Sequence, residues 1–239
     1  MKKYSLLAMK FLFALSLMGL APHALAASFD CSNAVTTTEK LTCSDAETSA
    51  LDSKLQKTYK TALTAVAPYS KSNLVEEQRR WITYTRNICL DTACLRQVYA
   101  DRIAVLGHNA KYIGNDDSYC IKPSGYQGGA QNCGVSVEAY RDPNDRIDSF
   151  NQSLAEQKQS GRIIGCRRLI ALGSGTHIGP GSGNQNFGGY CVFQDGTQRR
   201  SVVICNDDMI GNFQMQPAAS QDVSDTHLID FTYAQCFRG

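Results

Sequence analysis

The sequence predicts an α+β protein: a small disulfide-stapled helical hairpin or bundle, followed by a disulfide-stapled antiparallel β-rich domain. Three observations predict it. The composition changes near residue 113, because residues 28–112 hold one proline, Pro68, and one glycine, Gly107, and most other glycines and prolines come later. Apolar residues recur at helical spacing in the first part and fall in strand-like runs in the second. The ten cysteines are an even, high count for 239 residues, which reads as a disulfide framework. With 43% hydrophobic and 19% charged residues the chain can build cores and is too sparsely charged for a disordered protein.

The first segment, 1–26, reads as a cleaved export signal. Lys2 and Lys3 give the charged start, Phe11 to Leu20 the apolar run, and Ala24-Leu25-Ala26 a small-x-small cleavage site. The run is too short for a permanent membrane span, so no stable membrane anchor is expected. Ser28-Phe29-Asp30 before Cys31 lacks the small apolar residues of a lipoprotein signal. Losing Lys2, Lys3 and Lys10 leaves 21 Lys and Arg against 22 Asp and Glu, a charge that argues against a general nucleic-acid binder. The expected home is the bacterial periplasm or the outside, and all ten cysteines travel there.

Two further segments follow, 27–112 and 113–239. In the first, Thr36 with Glu39 forms a capping-box pattern for a short helix ending near Cys43, and Ser44 with Glu47 forms another. The next helix carries Leu51, Leu55, Tyr59, Leu63 and Val66 on one stripe, and Pro68 ends it. A second long helix, capped near Ser70 to Asn73, carries Leu74, Gln78, Trp81, Thr85 and Ile88. The third, capped by Asp91 or Thr92, carries Leu95, Val98, Tyr99, Ile103 and Leu106, and Gly107 stops it. Short connections make the neighbours antiparallel. That geometry gathers Cys31, Cys43, Cys89 and Cys94 at one pole. Of the three possible connectivities, the sequence-local pairs Cys31–Cys43 and Cys89–Cys94 are favoured.

The second segment opens turn-rich around Cys120 and Cys133. A short helix is expected around Ile147 to Gln157. Strands are expected over Arg162 to Leu172, Tyr190 to Gln194, Ser201 to Cys205 and Leu228 to Cys236. Asp195-Gly196 is a hairpin signal. A tight turn on those two residues would set Cys191 opposite Arg200, so a Cys191–Cys205 bridge needs a longer loop. Cys120, Cys133, Cys166, Cys191, Cys205 and Cys236 allow fifteen connectivities, and the sequence does not choose.

The helical segment resembles the N-terminal domain of the LprI-type lysozyme-inhibitor family over about residues 29–107. The resemblance rests on a series of residues in order. It begins with Phe29-Asp30-Cys31, Glu39 and Cys43, then Leu51-Asp52, Leu55 and Tyr59. It continues through Gln78, Arg79, Trp81, Arg86 and Cys89, and ends with Cys94-Leu95, Tyr99 and Arg102-Ile103. The resemblance implies a secreted helical module, one branch of which is implicated in inhibiting lysozyme. The resemblance does not extend over residues 113–239.

Catalytic signatures are weak. Leu172 precedes Ser174, and Pro180 precedes Ser182, where a nucleophile elbow needs glycine. His108, His177 and His227 are isolated, there is no C-x-x-C pair, and no metal or cofactor is expected. The stretch Gly173 to Gly189 has seven glycines and no Lys or Arg, unlike a phosphate cradle. Asp207-Asp208 reads as a solvated turn. Two surfaces remain as partner-binding candidates. One is the flank carrying Lys54, Lys57 and Lys60, in a segment with 11 basic and 9 acidic residues over 28–112. The other is the loop 173–189, with Ser174, His177 and Ser182, and with Phe187 and Tyr190 at its exit. Trp81, Tyr59 and Tyr99 read as core, and Asp52, Gln78, Arg86 and Arg102 as a partly buried polar network.

The leading expectation is therefore a periplasmic, non-enzymatic protein that inhibits a lysozyme-like peptidoglycan hydrolase by blocking its cleft. The partner is a protein, lysozyme or another muramidase. The alternatives are an immunity protein against a wall-degrading toxin, a non-inhibitory envelope interaction module, or an enzyme housed in 113–239.

Overall fold

The computed structural model describes residues 27–107, 119–127, 134–174, 186–219 and 224–237. Helix α1 spans Thr37–Ser44, and its capping box is complete: Thr36 accepts from Glu39 N–H while Glu39 reaches back to the Thr36 N–H. Helix α2 spans Ala46–Ala65. Its cap is Asp45, not the expected Ser44–Glu47 pair, because the Asp45 carboxylate takes both the N–H and the hydroxyl of Thr48. Those two bonds hold the Asp45 carboxyl below its ordinary range. A single turn at Pro68–Ser70 leads to α3, Lys71–Trp81.

The expected second long helix does not run on unchanged. After Trp81 it widens into a π-helical turn, Ile82–Arg86, of the kind that marks an inserted residue. Helix α4 then spans Thr92–Gly107, with the Asp91 carboxylate accepting from Cys94 N–H at 2.8 Å. The core of the four helices is Leu55, Leu74, Trp81, Leu95, Val98 and Tyr99 with their neighbours. Disulfides join Cys31 to Cys43 and Cys89 to Cys94, as favoured from the sequence. Arg96 of α4 reaches Asp45 at the head of α2 at 3.0 Å, which ties the same pole together.

The later residues form a six-stranded antiparallel meander in chain order. Its strands are β1 (Tyr119–Ile121), β2 (Val135–Ala139), β3 (Arg162–Ser174), β4 (Asn186–Asp195), β5 (Gln198–Asp207) and β6 (Asn212–Pro217). Helix α5, Ile147–Glu156, covers one face with Phe150 and Leu154 against Leu169, Phe187, Val202 and Ile204. Helix α6, Asp225–Gln235, covers the other with Leu228, Ile229 and Phe231 against Ile170, Leu172, Tyr190 and Val203.

Helix α6 corrects the expected strand over Leu228 to Cys236. Its β-branched and aromatic residues alternate like a strand, but Ser224 caps the segment by accepting from His227 N–H. Gly188 on β4 supplies the room: a Cβ there would sit 1.9 Å from the Thr232 hydroxyl. Cys205–Cys236 staples the helix to the sheet, and Cys166–Cys191 joins β3 to β4, so a Cys191–Cys205 bridge is excluded. Cys120 is also disulfide-bonded, and no described cysteine is free. The β4–β5 turn falls on Gly196-Thr197, one residue later than expected, since Asp195 pairs with Gln198. A positive φ of 55° at Gly196 alone suits the first corner of a type II′ turn. Cys191 therefore faces Val202 rather than Arg200.

Two irregularities in β3, around Ile164 and Arg167, each add one residue opposite β4. They let Ile163, Cys166 and Leu169 share one face although they are three apart. Strand β2 pairs only with Ile170 to Ser174, so the earlier part of β3 presents an open edge. Side chains close it. Asn144 accepts from Cys166 N–H at 2.7 Å, Thr85 donates to the Cys166 carbonyl at 3.2 Å, and Asn151 bonds both backbone groups of Ile163. Thr85 lies in the π-helical turn, so the helical part shields an edge that would otherwise invite another strand.

Candidate functional site

Two groups of contacts fix the helical part against the sheet. Gly165 brings the π-helical turn in closely, since a Cβ there would lie 2.1 Å from the Tyr84 carbonyl oxygen. Beside it, Glu77 of α3 receives Arg102 from α4 and a two-pronged Arg141 from the loop after β2, both Arg141 bonds at 2.8 Å. Burial alone would raise the Glu77 carboxyl, but the Arg141 hydrogen bonds and the Arg102 charge outweigh it and hold it below its usual range. Arg80 meets Asp142 at 3.0 Å. The α3 and π-turn side of the helices is thus occupied.

The outer side of α2 is open. Lys54, Lys57 and Lys60 are all exposed there. Each lies three residues after the last, so the set drifts back about 60° per step and spreads over about 120° of the helix. Lys60 donates to Gln56 Oε1 at 3.5 Å, and none of the three enters an ion pair among the described residues. Residues 53–75 contain these lysines and Lys71 and no acid at all. At the end of that stretch, in the turn between α2 and α3, Tyr69 is 84% exposed. The sequence reading passed over Tyr69. Its signal was available: it follows Pro68, beyond the last apolar-stripe residue, Val66.

The scaffold under this face is stiff. Tyr99 donates to the Asp52 carboxylate at 2.8 Å and packs against Trp81 at 5.8 Å between ring centres. Burial, with the adjacent Asp52 charge, pushes the Tyr99 hydroxyl up to about 12. The expected polar network is divided. Gln78 holds Arg102 at 2.9 Å, Asp52 serves Tyr99 and the Ser28 N–H, and Arg86 bonds the Asn87 side chain.

The second candidate surface changes character. Its ends are strands, with Ser174 closing β3 and Asn186 opening β4. His177 and Ser182 lie outside the described residues. Phe187 and Tyr190 are buried, Phe187 under the Arg146 guanidinium at 3.7 Å and Tyr190 with its hydroxyl 2.7 Å from His227 Nδ1. Neither ring presents a surface to a partner, because each faces one of the two cores flanking the sheet. Asp207 ends β5, is buried and accepts from Met209 N–H, which corrects the solvated-turn reading for that residue; Asp208 does stand in the exposed turn that follows, paired with Arg146. Among the described residues no group of three or more His, Cys, Asp or Glu is placed to hold a metal ion. No described helix is long and apolar enough to cross a membrane.

The basic stretch of α2 around Lys54, Lys57 and Lys60 belongs to the part of the chain that comparison with known families singles out. Residues 30–116 match the lysozyme inhibitor LprI family. The LprI match spans all four helices and stops short of the sheet. No curated protein and no solved structure matches the chain. The matched residues are the ones that build the bundle: both local disulfides, Trp81, Tyr99 and the Gln78–Arg102 pair.

Proposed function

We propose that the chain is an exported inhibitor of a lysozyme-like peptidoglycan hydrolase, acting by occupying the glycan cleft and performing no chemistry of its own. The LprI match over residues 30–116 carries this reading. Lysozymes work with two carboxyl groups in an open cleft. An inhibitor surface for such a cleft is cationic, aromatic and rigid, so that charge aids docking and little order is lost on binding. The face of α2 offers Lys54, Lys57 and Lys60, with Tyr69 as an exposed aromatic anchor of the type enriched in interface hot spots. The disulfide pairs and the Arg96–Asp45 link support export and rigidity together.

The test adds oxidised protein 27–239 to lysozyme clearing a bacterial wall suspension. Stoichiometric loss of lysis is expected. Replacing the three lysines by glutamate should weaken inhibition at least about tenfold and remove most of its salt dependence. Absence of inhibition at large excess over several muramidases overturns the proposal, as does turnover of wall fragments by the protein alone.

A further inference from the structure

Asp52 is a carboxylate buried in the middle of the helical module, with 5% exposure. It accepts two hydrogen bonds, from the Tyr99 hydroxyl at 2.8 Å and from the Ser28 N–H at 2.7 Å. It takes no part in the ion pairs formed among the described residues. A buried carboxylate with donors but no ion-pair partner is costly. The contact from Ser28 shows where a counter-charge can come from. Ala27, immediately before it, is itself buried at 8% exposure, and Gln56 on the next turn of α2 reaches the Ser28 carbonyl at 3.4 Å. The start of the described chain is therefore laid along α2 rather than hanging free.

We infer that Asp52 is the docking site of the chain's own mature amino terminus: removal of the leader after Ala26 places the new α-ammonium of Ala27 beside this carboxylate. The α-nitrogen of Ala27 lies one residue upstream of the Ser28 nitrogen, so chain geometry keeps it within about 6–7 Å of the Asp52 Oδ2 atom. Rotation about the terminal bonds brings a free ammonium closer, and a peptide nitrogen still joined to Ala26 carries no charge. The other ionisable groups around the site are Tyr99 of α4, which donates to Asp52, and Arg86 of the π-turn, whose charge acts on Tyr99. Processing then finishes the module electrostatically, after export, in the same place where its disulfides close. The inference holds whatever the module binds.

The experiment compares two oxidised proteins, one beginning at Ala27 and one with Gly-Ser added before it, each with and without Asp52→Asn. The extension carries the ammonium about 7 Å away. Intact mass of the exported protein should first place its terminus at Ala27. The Ala27 α-amine, followed by NMR titration, should ionise at least one unit above its ordinary value of about 8, which is tenfold in proton affinity. A raised amine stabilises below the unfolded value and loses its effect as pH rises through the folded one. The authentic protein should therefore melt a few degrees above the extended one at pH 6, with the gap closing above pH 9 and absent in Asp52→Asn. A terminus elsewhere, an amine titrating near 8, or an equal gap in Asp52→Asn overturns the inference. If Asp52→Asn fails to fold, the titration of the unmutated protein decides alone.

Discussion

Gly165→Ala tests whether the helical module and the sheet stand or fall together. The added Cβ would lie 2.1 Å from the Tyr84 carbonyl oxygen and 2.8 Å from a methyl of Ile88. Ordinary contact needs about 1.3 Å more than the first distance, and the obstacle is backbone, which cannot swing aside as a side-chain tip does. Overpacking of this kind costs about 1–3 kcal/mol. Retreat of the π-turn also strains the Thr85 bond to Cys166 and the Asn144 bond to Thr85, each worth about 1 kcal/mol. The total is about 4 kcal/mol, or roughly 8–16 °C in the melting temperature of a domain this size. Calorimetry of the oxidised protein should show one transition moved down by that amount. Gly107→Ala is the control, because nothing lies within 4 Å of a Cβ there, and it should melt unchanged or slightly higher. A shift under 2 °C for Gly165→Ala would refute the close joint. A sheet transition that stays put while the helical signal moves would show two units that unfold separately.

Other expectations follow from the same contacts. Glu77→Ala leaves Arg102, whose side chain is 2% exposed, without its carboxylate, and should cost about 3–5 kcal/mol in urea unfolding. Because the Glu77 carboxyl is held below its ordinary 4.5, its stabilisation is full above that pH and is lost as the pH falls below it; Glu77→Gln should flatten the acid limb of the stability curve. Removing the Cys205–Cys236 link by a double Cys→Ala change opens a 31-residue loop and should cost about 3–4 kcal/mol, with proteolysis appearing first in α6. Thr36→Ala removes half of the capping box on α1 and should lower stability by about 1 kcal/mol in the same urea assay.

The helical part was legible because its signals are local. The Thr36–Glu39 box, the apolar stripes and the Cys31–Cys43 and Cys89–Cys94 pairs each depend on residues within a dozen positions. The second half was legible as antiparallel strands and one helix, α5. It was misread where distant partners decide. Leu228 to Cys236 has strand composition, and the room left at Gly188 of β4 and the Ser224 cap make it a helix. Cys166 meets Cys191 through an irregular register that no alternation pattern announces. The lysine flank of α2 was visible as spacing. That α2 is the side left open required the sheet, since Glu77, Arg80 and Tyr84 had to be seen engaged elsewhere.

The two extra residues of β3 make that strand forgiving in one way and brittle in another. Ile164 and Arg167 are the positions its ladder with β4 does not count. Deleting either would straighten the strand and still leave Cys166 across from Cys191. Deleting a counted residue downstream, such as Leu169, lets Arg167 enter the ladder and keep the cysteine opposite its mate, but it sets Arg168 in the buried place that Leu169 held. Length variation in this strand is thus tolerable at the two uncounted sites, while a loss at Leu169 keeps the register and puts a guanidinium into the core.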